Sequence, residues 1–195
     1  MEDEAAFRVE VREVCKLYHQ APKWHEPGVH IVSVDEKTGI QAKERVHPTR
    51  PMKPGKVEAI EFEYERHGTQ TLIANFEVAT GKVICPSIGD TRTEEDFVKQ
   101  IRATVETDAQ GEWIFICDPL NTHKSESLVR AIAELCALEP EWGNKGQSGI
   151  LQNMTSRAAW LPDESHRIRL VYTPKPCSWL NQVEMWFSIL TRHLR

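Results

Sequence analysis

Trp113-Ile114-Phe115-Ile116-Cys117-Asp118 decides the fold. From Trp113 to Cys117 nothing polar interrupts the run, as a central strand covered on both faces requires, and an acid follows at once. Working outward, His30-Ile31-Val32-Ser33-Val34 is a second short β-branched strand, and it too ends in an acid, Asp35. Between them, 71–78 and 83–85 flank the turn Ala79-Thr80-Gly81-Lys82 and read as a hairpin. Thr91 with Glu94 makes a capping-box pattern, and Phe97, Ile101 and Val105 recur at helical spacing behind it.

The flanks complete the order. A helix is expected from about Glu4 to His19, stopped by Pro22. Another runs from His123 to Leu138, with Leu128, Ile132 and Leu135 on one face; a Gly-rich insertion over 139–166 carries one short helix near 150–159, and a strand covers 167–172. Ser178 caps a final helix whose stripe is Leu180, Val183, Phe187, Leu190 and Leu194. Glu184 then stands about two turns into that helix, and Asn181, Glu184 and Ser188 share its polar side. Strands alternating with helices predict an α/β fold, a mixed sheet flanked by helices.

With 195 residues, 40% hydrophobic and 27% charged, the chain can bury a core of its own. Its longest apolar runs are far too short to span a membrane, and Met1-Glu2-Asp3-Glu4 is unlike a basic signal start, so a cytoplasmic, nucleoid-associated protein is expected. Cys15, Cys85, Cys117, Cys136 and Cys177 are widely spaced and read as reduced and mostly buried; the eight histidines are dispersed, so only convergence in the fold would make a histidine metal site. The net charge of −5 speaks against a DNA-coating protein, but the basic residues cluster: Lys37, Lys43, Arg45, Arg50, Lys53 and Lys56 are opposed in their stretch only by Glu44. Prolines 48, 51 and 54 leave 46–56 as an exposed loop.

Asp35, Asp118 and Glu184 form the chemical constellation. Singly, an acid at a strand end is more often a turn former or helix cap. If the two strands are neighbours, however, their terminal aspartates lie side by side, repel, and call for a shared cation. Mg²⁺, which favours oxygen ligands and substrate phosphates, suits such a site, and two ions can serve in-line phosphoryl displacement.

Those residues sit within longer words. Ser33-Val34-Asp35-Glu36-Lys37-Thr38-Gly39-Ile40-Gln41-Ala42, Arg66-His67-Gly68-Thr69, Thr91-Arg92-Thr93, Asp118 through Asn121-Thr122-His123-Lys124, and Ser178-Trp179-Leu180-Asn181-Gln182-Val183-Glu184 together resemble mariner-like DDE transposases of bacterial insertion sequences. The resemblance covers nearly the whole chain. It implies a ribonuclease-H-like catalytic domain over 29–195 behind an N-terminal helix and linker over 1–28. It also implies an Asp35–Asp118–Glu184 triad holding two Mg²⁺ or Mn²⁺, which hydrolyses phosphodiesters at transposon ends and transfers the strand into target DNA. Double-stranded DNA and further copies of the chain in a synaptic complex are the implied partners.

Lys37, Lys43, Arg45, Arg50, Lys53, Lys56, His123, Lys124 and Lys175 are the candidate DNA contacts. Asn121, Trp179 and Asn181 are candidate supports, with Trp179 read as core. Pro119 stands where relatives commonly carry Asn. No helix-turn-helix is visible before residue 30 and the last helical pattern runs to Arg195, so a truncated chain, or a separately encoded recognition module, is expected. The competing readings are an inactive remnant that binds DNA or transposase as a competitor, and a ribonuclease-H-like nuclease without transposition.

Overall fold

The alternation of buried residues builds the sheet. In the computed structural model, which describes residues 4–175 and 177–193, β4 (Glu112–Cys117) sits between β1 (Val29–Arg45) and β5 (Ile168–Tyr172), parallel to both. On the other side β1 pairs antiparallel with β2 (Tyr64–Glu77), and β2 with β3 (Lys82–Gly89), giving the order β3-β2-β1-β4-β5. This is the mixed, helix-flanked sheet expected of a ribonuclease-H-like fold.

Successive strand residues point to opposite faces. Val32, Val34, Trp113, Phe115 and Cys117 therefore meet one layer, made by α2 (Glu94–Val105) and α3 (Glu126–Leu135) through Phe97, Ile101, Leu128 and Ile132. Ile31, Ile114 and Ile116 meet the other, where Val14 and Ala21 of α1 (Glu4–His25) lie. On that same side Val183 and Phe187 of α5 (Val183–His193) cover Leu72 and Ala74. The short helix α4 (Met154–Trp160), capped by Asn153, fills the insertion as expected.

Several local expectations change. α1 runs through Pro22 to His25; a proline in the last turn costs one donor without ending the helix. β1 continues well beyond Asp35 as a two-stranded ribbon with β2, ending at the pair Arg45–Tyr64, with register shifts between Lys37 and Ile40 and between Gln41 and Lys43. Asp35 thus marks the end of the parallel pairing with β4, which stops at Ser33–Ile116, and not the end of the strand. Lys37, Lys43 and Arg45 accordingly lie on a strand, while Arg50, Lys53 and Lys56 occupy the exposed loop.

The segment expected to start a helix at His123 is a 3-10 turn, Thr122–Lys124, and α3 begins after its cap Ser125. Ser178 starts a 3-10 turn rather than the last helix, which opens at Val183, so Glu184 is in its first turn instead of two turns in. Leu194 of the expected stripe, Pro176 and Arg195 lie outside the described residues. All five cysteines are free, but only Cys117 and Cys177 are buried.

The capping box of α2 is displaced by two residues. Thr93, not Thr91, is the N-cap; its side chain accepts from Asp96 N–H, and the Asp96 carboxylate accepts from Thr93 N–H at 2.8 Å and from Thr91 Oγ1 at 2.6 Å. Replacing Thr93 by Ala is expected to cost about 1 kcal/mol, read as a lowered urea midpoint with an unchanged slope.

Candidate functional site

The alternation that builds the core also aims Asp35. Asp35 follows Ile31 and Ser33 on the face covered by α1 and α5, and Asp118 is the first residue beyond β4. The last parallel pair, Ser33–Ile116, leaves each aspartate two residues further on, at the same end of neighbouring strands about 4.8 Å apart. The last helix is fastened beside them by a buried polar knot. Ser33 Oγ accepts from Val183 N–H at 2.9 Å and donates to Asn181 Oδ1; the Asn181 amide donates to Val34 O at 3.0 Å and to Asp35 Oδ2 at 3.2 Å. Asn181 is therefore a buried anchor rather than part of a helical polar face. Glu184, three residues on, is exposed.

Asp118 and Glu184 act on Asp35 through their charges, but the ligand atoms of the three acids do not all lie within 4.8 Å of one another. Burial pushes the Asp35 carboxyl up to about 7; the hydrogen bond from Glu36 N–H opposes the rise, while the charges of Asp118, Glu36 and Glu184 add to it. Asp118 Oδ1 lies 2.9 Å from His123 Nδ1, an ion pair when the ring is protonated, and the same ring nitrogen is 2.9 Å from the Asp118 carbonyl oxygen. Carboxylates gathered at one strand end offer the oxygen-donor chemistry that a hard divalent cation prefers.

His123 lies beneath this group and is fully buried, which removes it from the candidate DNA contacts. Its Nε2 meets Glu36 Oε1 at 3.0 Å, and both side chains are almost wholly inaccessible. Burial alone lowers the pKa of His123; its contacts with Cys117, Asp118 and Glu36 reverse that and hold the imidazole above its ordinary range. The Cys117 thiol is itself pushed up by burial and stays neutral, so the carboxylates carry the effect. Tyr172 Oη donates to His123 O at 2.7 Å, bracing the same turn.

The remaining candidates disperse. Trp179 is 68% exposed, which overturns its assignment to the core. Asn121 and Lys175 are exposed. Lys124 Nζ stands 4.9 Å over the Tyr172 ring, and burial lowers its pKa. Lys37 is half-buried, 5.7 Å over Phe187, and Lys43 is 4.4 Å over Tyr64. Arg45 donates to Thr49, and Arg50 pairs through its backbone with Ala59, as Lys53 does with Lys56.

Ser33 and Glu36 escaped sequence reasoning although both flank Asp35; a polar residue inside the β-branched run was the available signal for Ser33. A second group was also missed. His25, His30 and Glu77 bring three ligand atoms within 4.8 Å of one another and can hold a divalent metal, so two of the dispersed histidines do converge. No helix among the described residues is long and apolar enough to cross a membrane.

Solved structures similar to the chain include the catalytic domain of Mos1 mariner transposase, at 16% identity over 71% of this chain and 61% of that one, with a TM-score of 0.39. They also include the Mos1 mariner paired end complex with Mn, at 18% identity over 69% of this chain and a TM-score of 0.39. The Mos1 transposase paired-end complex with left transposon end is 16% identical over 96% of this chain and 56% of that one, with a TM-score of 0.41. The chain spans 42% of the length of the first of these complexes. No curated protein matches. Residues 30–195 match the family described as DDE superfamily endonuclease, and the chain belongs to that family.

Proposed function

We propose that Asp35, Asp118 and Glu184 are the catalytic carboxylates of a DNA transposase domain that cleaves phosphodiesters at transposon ends and joins the freed strand to target DNA. The observation that carries this reading is that the charges of Asp118 and Glu184 both act on the Asp35 carboxyl, just past the point where β1 and β4 stop pairing. Two Mg²⁺ or Mn²⁺ ions held there would supply charge neutralisation and polarise the scissile phosphate. The chain's own part is positioning: Asn181 orients Asp35, Ser33 fixes the start of α5 and with it Glu184, and His123 balances Glu36 under the site. Double-stranded DNA would follow the basic ribbon and loop from Lys37 to Lys56 and the exposed Lys175, and further copies of the chain would assemble on paired ends. A separately encoded helix-turn-helix module would read those ends.

Supercoiled plasmid nicking tests the reading. Mg²⁺- or Mn²⁺-dependent nicking by the wild type that disappears in Asp118→Asn supports it; no metal-dependent nicking, or equal nicking by both proteins, contradicts it.

Trp179, exposed two residues before the Asn181 anchor, is assigned to base or sugar stacking beside the acids. Trp179→Ala is expected to leave folding stability within about 0.5 kcal/mol and to weaken single-stranded DNA binding by about 1–3 kcal/mol, measured by fluorescence anisotropy.

A further inference from the structure

His25, His30 and Glu77 lie away from the acids of the proposed reaction. His30 precedes Asp35 by five residues on an extended strand, about 16 Å, and faces the opposite side of the sheet. We propose that this cluster is a separate zinc site that fastens the end of α1 to the sheet, independent of the catalytic reading.

The donor set argues for the metal. Two imidazoles and one carboxylate suit Zn²⁺, whereas Mg²⁺ prefers oxygen ligands throughout. Bonds of about 2.0–2.1 Å at tetrahedral angles separate ligand atoms by about 3.3 Å. Here Glu77 Oε1 stands 2.7 Å from His30 Nδ1 and 3.6 Å from His25 Nδ1. His25 Nδ1 is buried without a hydrogen-bond partner among the described residues, an unused lone pair beside two further ligands.

The surroundings are built as an outer shell. His30 Nε2 lies 3.1 Å from Asp108 Oδ2, the carboxylate–histidine arrangement that fixes a metal-binding tautomer. Thr80 Oγ1 donates to the second Glu77 oxygen at 2.5 Å. The His30 ring stacks on Trp113 at 4.1 Å between centroids, and Gly111 leaves the space: a Cβ there would approach Asp108 Oδ2 to 2.7 Å and His30 Cδ2 to 3.0 Å. Because His25 is the last residue of α1 while His30 and Glu77 belong to β1 and β2, a bound ion cross-links helix and sheet, with the fourth position left to water.

The test uses the full chain stripped with a chelator and titrated with Zn²⁺, with Co²⁺ as the spectroscopic stand-in. The expected result is a rise in Tm with Zn²⁺ and the visible absorption of tetrahedral Co²⁺. His25→Ala, at a partly exposed helix end, is expected to abolish both. Asp108→Asn, which leaves all three ligands in place, is expected to weaken Zn²⁺ binding by about 10–100-fold, and it carries the test if His25→Ala does not fold. Asp118→Asn is expected to leave Zn²⁺ affinity unchanged, which separates this site from the catalytic acids. Absence of a tetrahedral Co²⁺ spectrum, or Zn²⁺ affinity unaltered in both His25→Ala and Asp108→Asn, would overturn the proposal.

Discussion

Asp118→Asn is expected to lower metal-dependent plasmid nicking by about 10³-fold, since a lost metal ligand forfeits several kcal/mol of charge stabilisation at about 1.4 kcal/mol per decade. The change keeps the size and planarity of the side chain. Asp118 is also partly exposed, and Asn keeps an Oδ1 that can accept from His123 Nδ1, 2.9 Å away, so the fold loses little. The change removes a repulsion that raises the Asp35 pKa and weakens an attraction to His123, so thermal stability without metal is expected to stay nearly unchanged. An activity loss without a stability loss is the signature to look for in parallel nicking and calorimetry.

The second large effect falls on folding. His123 and Glu36 make a 3.0 Å ion pair with side-chain exposures of 0% and 3%. Removing one partner of such a pair strands a charge in a low-dielectric interior, which costs about 3–5 kcal/mol. His123→Ala is therefore expected to lower unfolding free energy by that amount in urea titrations. The double variant Glu36→Gln with His123→Ala is expected to recover part of it, because the stranded carboxylate is gone. If the single variant falls by less than about 1 kcal/mol, the pair is not held as charges and the support assigned to it beneath Asp118 is wrong.

What was legible in the sequence follows from where information is local. β4 could be read because both faces of Trp113–Cys117 are covered, and α2 because Phe97, Ile101 and Val105 keep helical spacing. The capping motif was visible but shifted: Thr-x-x-acid occurs at Thr91–Glu94 and again at Thr93–Asp96, and only backbone geometry selects the second. The ribbon beyond Asp35 was hidden because Lys37–Arg45 is polar and largely exposed, held by its ladder to β2 and interrupted by Gly39 at φ +73°. Trp179 was misassigned because aromatic composition says nothing about a 3-10 turn that presents the ring outward.

The site divides the same way. The order of the words carried Asp35, Asp118 and Glu184, whereas the Ser33–Asn181 knot joins residues 148 apart in sequence. The meeting of His25, His30 and Glu77 likewise depends on β1–β2 register, which no spacing along one segment reveals.

The most direct measurement is a crystal soaked in Mn²⁺ with anomalous scattering collected at the manganese edge. Density is expected between the carboxylates of Asp35 and Asp118, within reach of Glu184, and is expected to disappear in Asp35→Asn crystals. Density confined to the His25–His30–Glu77 cluster, or none beside Asp35, would contradict this expectation.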